Sequence, residues 1–94
     1  MITAEQIKKV LEERLAASCV SVEDRTRFHA GHAGSNGGGH YDVTVVSERF
    51  AGLSMLRQHR LVYEALAGEM GLSIHALALT TLTPEQWRSR QLST

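Results

Sequence analysis

Five histidines in a chain of 94 residues are the side chains best suited to chemistry. His29 and His32 stand three positions apart, His40 follows three glycines, His59 lies between Gln58 and Arg60, and His75 follows Ile74. A neutral imidazole is a good ligand for zinc, copper or iron, so two or three of these rings converging would hold a metal. The spacing does not define such a site by itself, because the chain has neither a CxxC pair nor zinc-finger spacing. Each ring also has a plainer reading. His29 and His32 are flanked by alanine and glycine and are most simply solvated, and His59 is most simply a half-buried helix residue making a hydrogen bond. By strand alternation His75 shares a face with Leu77 and Leu79, which suits a hydrogen-bonded histidine at the core edge as well as a ligand.

Three other patterns lead nowhere. Gly37-Gly38-Gly39-His40 lacks the Gly-Lys-Ser/Thr ending of a phosphate-binding loop. Gly68-Glu69-Met70-Gly71 has the letters of a GxxG clamp, but Glu69 would repel a phosphate and Gly71 reads as a helix stop. No serine or cysteine nucleophile has a histidine and a carboxylate at motif spacing, and no acidic pair suggests acid/base work. The chain therefore reads as a non-enzyme, with no catalytic residues. Cys19, the only cysteine, reads as a small apolar residue at a strand start.

The elements that must position the histidines follow from local pattern. Thr3 and Gln6 spell a capping box, with Ile2 and Ile7 at the positions of a hydrophobic staple. Ile7, Val10, Leu11 and Leu15 then recur at helical spacing, and Ala16 and Ala17 can continue the helix to Ser18. Val20 and Val22 alternate with polar residues, predicting a short strand from Cys19 toward Thr26. The glycine-rich stretch 27–39 predicts a long loop. Tyr41, Val43 and Val45 share one face of a second strand, with Asp42, Thr44 and Val46 on the other. Ser54 caps a second helix whose broad face carries Met55, His59, Val62, Tyr63, Leu66 and Met70, ended by Gly71. Ile74 to Leu82 is a third strand, and Thr83-Pro84-Glu85-Gln86 opens a last short helix anchored by Trp87. The order α-β-β-α-β-α predicts an α+β fold: one domain spanning residues 1–94, a three-stranded sheet with helices packed on it.

Composition narrows the function classes. Ten basic residues balance ten acidic ones, whereas a domain that grips a phosphate backbone usually carries a basic excess. No run of eighteen apolar residues could span a membrane. The N-terminus has no basic and apolar leader, and a lone cysteine suits a reducing compartment, so the expected location is cytoplasmic.

Four segments resemble the BolA-like family. They are the central strand and turn His40-Tyr41-Asp42-Val43-Thr44-Val45-Val46-Ser47-Glu48-Arg49-Phe50-Ala51-Gly52-Leu53-Ser54, the helix segment Arg57-Gln58-His59-Arg60-Leu61-Val62-Tyr63, the strand Ile74-His75-Ala76-Leu77-Ala78-Leu79, and Thr83-Pro84. The resemblance implies an αββαβ core of class II KH-like type with a short C-terminal helix. It also implies a partner, a monothiol glutaredoxin, with which such proteins share a 2Fe-2S cluster for iron–sulfur trafficking or iron and redox sensing. Glutathione supplies one sulfur, and the isolated chain carries no cluster. Carried onto this chain, the strand ligand is His75 and the loop ligand is His32 or its neighbour His29, while His40 and His59 are structural or supporting. Two imidazoles in place of thiolates lower the negative charge on a cluster and raise its potential. The free form is expected to be a monomer or weak homodimer. The competing reading is a KH-like, DNA-binding transcriptional regulator of stress response and cell morphology, with Arg49, Arg57 and Arg60 as its basic patch.

Overall fold

The computed structural model describes residues 2–26 and 39–92. The element order is α1 (Ala4–Arg14), β1 (Cys19–Asp24), β2 (Gly39–Val46), a 3-10 turn (Glu48–Phe50), α2 (Met55–Ala65), β3 (Ile74–Leu82) and α3 (Pro84–Leu92). The strands form one sheet in the order β1-β2-β3. β1 pairs with β2 antiparallel, from Cys19 opposite Val46 to Asp24 opposite Tyr41. β2 and β3 run parallel, because α2 carries the chain back across the sheet between them. The α+β class and the three-stranded sheet expected from the sequence are both present.

α1 starts where its capping box puts it. The Thr3 hydroxyl accepts from the Gln6 amide at 3.1 Å, and the Gln6 side chain accepts from the Thr3 amide at 2.8 Å. The helix ends earlier than its alanines suggest. Its last helical residue is Arg14, and Ala16 takes a left-handed conformation with φ of 48°. That reversal turns the chain into β1, where the Ser18 amide donates to the Val46 carbonyl at 2.9 Å. The carbonyl of Leu15 is satisfied by the buried Ser47 hydroxyl, which donates to it at 2.7 Å and accepts from the Arg49 amide at 3.1 Å. Ser47 thus joins the end of α1 to the turn after β2.

The core lies between α1, α2 and one face of the sheet, and α3 contributes no buried residue. Ile7, Leu11, Val62, Leu66, Val43, Val45, Phe50 and Ile74 are all buried in a single cluster. β2 alternates as its sequence requires, with Tyr41, Val43 and Val45 inward and His40, Asp42 and Thr44 half-buried on the other face.

α2 differs from expectation at its face and its end. Val62, Ala65 and Leu66 are buried, whereas Met55 and Tyr63 are 70% and 40% exposed. The helix stops at Ala65, and residues 66–73 run through successive turns that include Met70. Gly71, at φ of +81°, donates its amide to the Ile74 carbonyl at 2.9 Å. Its conformation therefore serves a tight turn into β3, not the helix end. Gly68 lies in the same run of turns, so the GxxG letters do not flank a helix start. At the last helix, Thr83 and Gln86 make a reciprocal capping pair, at 3.2 and 2.9 Å.

Candidate functional site

His40 and His75 come together. Their ring centroids are 5.1 Å apart and their planes are tilted by 46°. His40 opens β2, half-buried, while His75 is exposed at the second position of β3. The contact depends on an irregularity in the parallel ladder. Gly39 pairs with Ile74, but the next pair is His40 with Ala76, so His75 is an extra residue opposite no partner. Bulges of this kind re-aim a side chain.

This corrects the face expected for His75. Strict alternation backward from Leu79 and Leu77 would put His75 in the core and Ile74 in solvent. With the extra residue, Ile74 is fully buried while Leu77 and Leu79 still pack against the core, and His75 is released to the surface beside His40.

The backbone at His40 is held from both sides. The His40 amide donates to the Thr26 hydroxyl at 3.1 Å, and its carbonyl accepts from the Arg25 amide at 2.8 Å. Thr26 is fixed in turn by Asp24, whose carboxylate accepts from the Thr26 amide at 2.9 Å and from its hydroxyl. The Thr26 hydroxyl, followed by its amide, holds the Asp24 carboxyl below the usual carboxylate range. On the other stem the Gly39 amide donates to the Ser73 carbonyl at 2.8 Å. Thr26 and Gly39, the described residues on either side of 27–38, therefore both lie next to His40.

Tyr41 completes the support. Its hydroxyl donates to the Ile2 carbonyl at 3.0 Å, tying the start of α1 to β2. Burial, and then the negative charge of Asp24, pushes its phenol above the ordinary tyrosine value. The ring lies against Gly39: a Cβ at that position would fall 2.5 Å from Cε2 of Tyr41. Glycine is needed there for close approach, two residues along the same strand face.

His29 and His32 lie outside the described residues. His59 is half-buried on α2, in a groove with Met55, Thr80, Gln86 and Arg90 beside the far half of β3, away from the His40–His75 pair. Its neighbour Gln58 is the better-connected residue. Its amide nitrogen donates to the carbonyls of Phe50 and Leu53, and its oxygen accepts from the Thr81 hydroxyl at 2.6 Å. Arg57 and Arg60 are exposed one turn apart on α2, and Arg49 is exposed on the 3-10 turn. Among the described residues, no three or more of His, Cys, Asp and Glu converge as a metal site. Also among them, no helix is long and apolar enough to cross a membrane.

The sequence reading missed Asp24, Thr26, Ser47 and Gln58 as organising residues. Only Asp24 had a local signal, an aspartate two residues before a threonine at a strand end, which favours a side-chain-to-backbone turn.

The architecture is that of a small α+β domain with a histidine pair at one end of a mixed sheet. The chain belongs to the BolA-like family, whose model, described as BolA-like protein, matches residues 11–86. It is 46% identical over 89 residues to BolA-like protein 1 of Homo sapiens, covering 94% of this chain and 64% of that protein's length. It thus spans just under two thirds of that relative. It is 38% identical to the Escherichia coli protein named DNA-binding transcriptional regulator BolA, covering 90% of this chain and 83% of the relative. The solution structure of BolA1 from Mus musculus superposes with a TM-score of 0.78 at 41% identity, covering 94% of this chain and 70% of that one.

Proposed function

We propose that this chain is a non-enzymatic partner of a monothiol glutaredoxin and co-ligates a 2Fe-2S cluster through His75. The observation that carries this reading is the exposure of His75 at the bulge, on an edge strand where a second protein can reach the imidazole. The donor chemistry fits the group, because neutral imidazoles replace thiolates on one iron of Rieske-type clusters. His32 or His29 is the second ligand from this chain, and glutaredoxin and glutathione supply the sulfurs. When bound, the cluster supplies a one-electron centre and transferable iron and sulfide. The chain's own part is to present His75 from a fixed strand, steadied by His40 and by the Asp24–Thr26 stem. The test is visible circular dichroism of the chain mixed with a monothiol glutaredoxin, glutathione, iron and sulfide. A spectrum distinct from that of the glutaredoxin homodimer, altered by His75→Ala, supports the reading. An unchanged homodimer spectrum removes it.

A second reading is favoured by the name of the Escherichia coli relative and by the exposed Arg49, Arg57 and Arg60. On that reading these three arginines contact DNA phosphates, and log K falls with log salt at a slope of about −2.7, at about 0.9 per phosphate. A slope near zero removes it.

A further inference from the structure

The cluster reading takes only His75 from the His40–His75 pair. We infer that the two imidazoles together chelate a first-row divalent cation such as Zn2+, held by the free chain with water completing its coordination.

The distance carries this inference. When imidazole binds zinc the ion lies near the ring plane, about 2.0–2.1 Å from the nitrogen and so about 3.2 Å from the ring centre. Two such rings at a near-tetrahedral nitrogen–metal–nitrogen angle of about 105° have centres about 5.1 Å apart. The observed separation is 5.1 Å. Rotation about each metal–nitrogen bond leaves the mutual tilt free, so 46° is compatible with a chelate. That tilt matches neither of the preferred aromatic pairings, offset-parallel or perpendicular.

The two rings come from neighbouring strands, and the bulge brings them onto one face. His40 is held through both its amide and its carbonyl, so the backbone that carries its ring is fixed. Nε2 of His40 is buried and His75 is exposed, so the ion would sit at the protein–water boundary with solvent on the His75 side. Imidazole donors select copper, nickel and zinc over magnesium and calcium, which prefer oxygen. The site shares His75 with the cluster reading but needs no partner protein.

The experiment is calorimetric titration of zinc chloride into the cluster-free chain, alone and as His40→Gln, His75→Gln and the double variant His29→Ala/His32→Ala. One zinc per chain is expected for the wild type and for the double variant, with no heat from magnesium. Losing a supporting residue around a metal already weakens binding about 10–100-fold, so losing a ligand should weaken it at least about tenfold in either glutamine variant. Wild-type affinity in His40→Gln, or loss of binding in the double variant, overturns the inference. Should a glutamine variant unfold, the imidazole resonances of the wild type decide: both rings must shift on zinc addition, and movement of His75 alone overturns the chelate. Zinc binding with failed cluster assembly would sink only the cluster reading, and the converse would sink only this one.

Discussion

Replacing Gly39 with alanine tests the support beneath the histidine pair. Alanine normally stabilises a permissive site by about 0.4–1 kcal/mol, because the unfolded chain loses freedom. Here no left-handed backbone opposes it, but the new methyl would lie 2.5, 2.7 and 2.6 Å from Cε2, Cζ and the hydroxyl of Tyr41. Ordinary contact begins near 3.4 Å, so the ring must retreat by about 1 Å. Tyr41 is only 3% exposed and packs within the core cluster, so its ring moves only by displacing core neighbours. A shift of that size also stretches the 3.0 Å bond from its hydroxyl to the Ile2 carbonyl beyond hydrogen-bond range. Overpacking costs about 1–3 kcal/mol, and the stranded buried carbonyl about 1–3 kcal/mol more. After the entropic offset, the net loss is about 1–5.5 kcal/mol. Urea denaturation followed by far-ultraviolet circular dichroism measures it. The double variant Gly39→Ala/Tyr41→Phe should show positive coupling of about 1 kcal/mol, since part of the loss passes through the hydroxyl. A Gly39→Ala protein as stable as the wild type, or more so, would refute the close-approach reasoning.

Ser47→Ala removes the donor to the Leu15 carbonyl and the acceptor for the Arg49 amide; a loss of about 1–3 kcal/mol is expected, a fall in Tm of about 4–8 °C per kcal/mol. A thermal midpoint equal to the wild type's would contradict it. The pH dependence has two arms of opposite sign. Asp24 has a depressed folded-state value, so its contribution is present above the unfolded carboxylate value and lost as pH falls through the folded one. Asp24→Asn should flatten that acid limb. Tyr41 has a raised value, so stability is intact below the unfolded tyrosine value near about 10 and falls as pH rises through the folded one. Tyrosinate absorbance and alkaline melts, compared with Tyr41→Phe, read that limb.

Much of this fold was legible because its signals are local. The Thr3–Gln6 box, the Ser54 and Thr83 caps and the alternation of β2 each rest on neighbours within four residues. The misreadings share a non-local cause. Ala16 turns left-handed because the chain must reach β1, although alanine carries no such preference. α2 stops at Ala65 although apolar residues continue to Met70, because the turns leading to β3 begin there. Sequence alternation puts His75 on the face of Leu77 and Leu79, while the bulge that turns it away arises from pairing with β2. The same holds for the site. His75 stood out by type, but its contact with His40, 35 positions earlier in the chain, follows only from the parallel register.

The most direct test of cluster ligation is nitrogen hyperfine coupling at the reduced cluster. The chain is grown with histidine labelled with the heavy nitrogen isotope and assembled with unlabelled glutaredoxin and glutathione for pulsed electron paramagnetic resonance. Heavy-nitrogen coupling that weakens in His75→Ala is the result expected if this chain lends its imidazole to the iron. A cluster in the mixed complex that shows no coupling to the labelled histidines would contradict it.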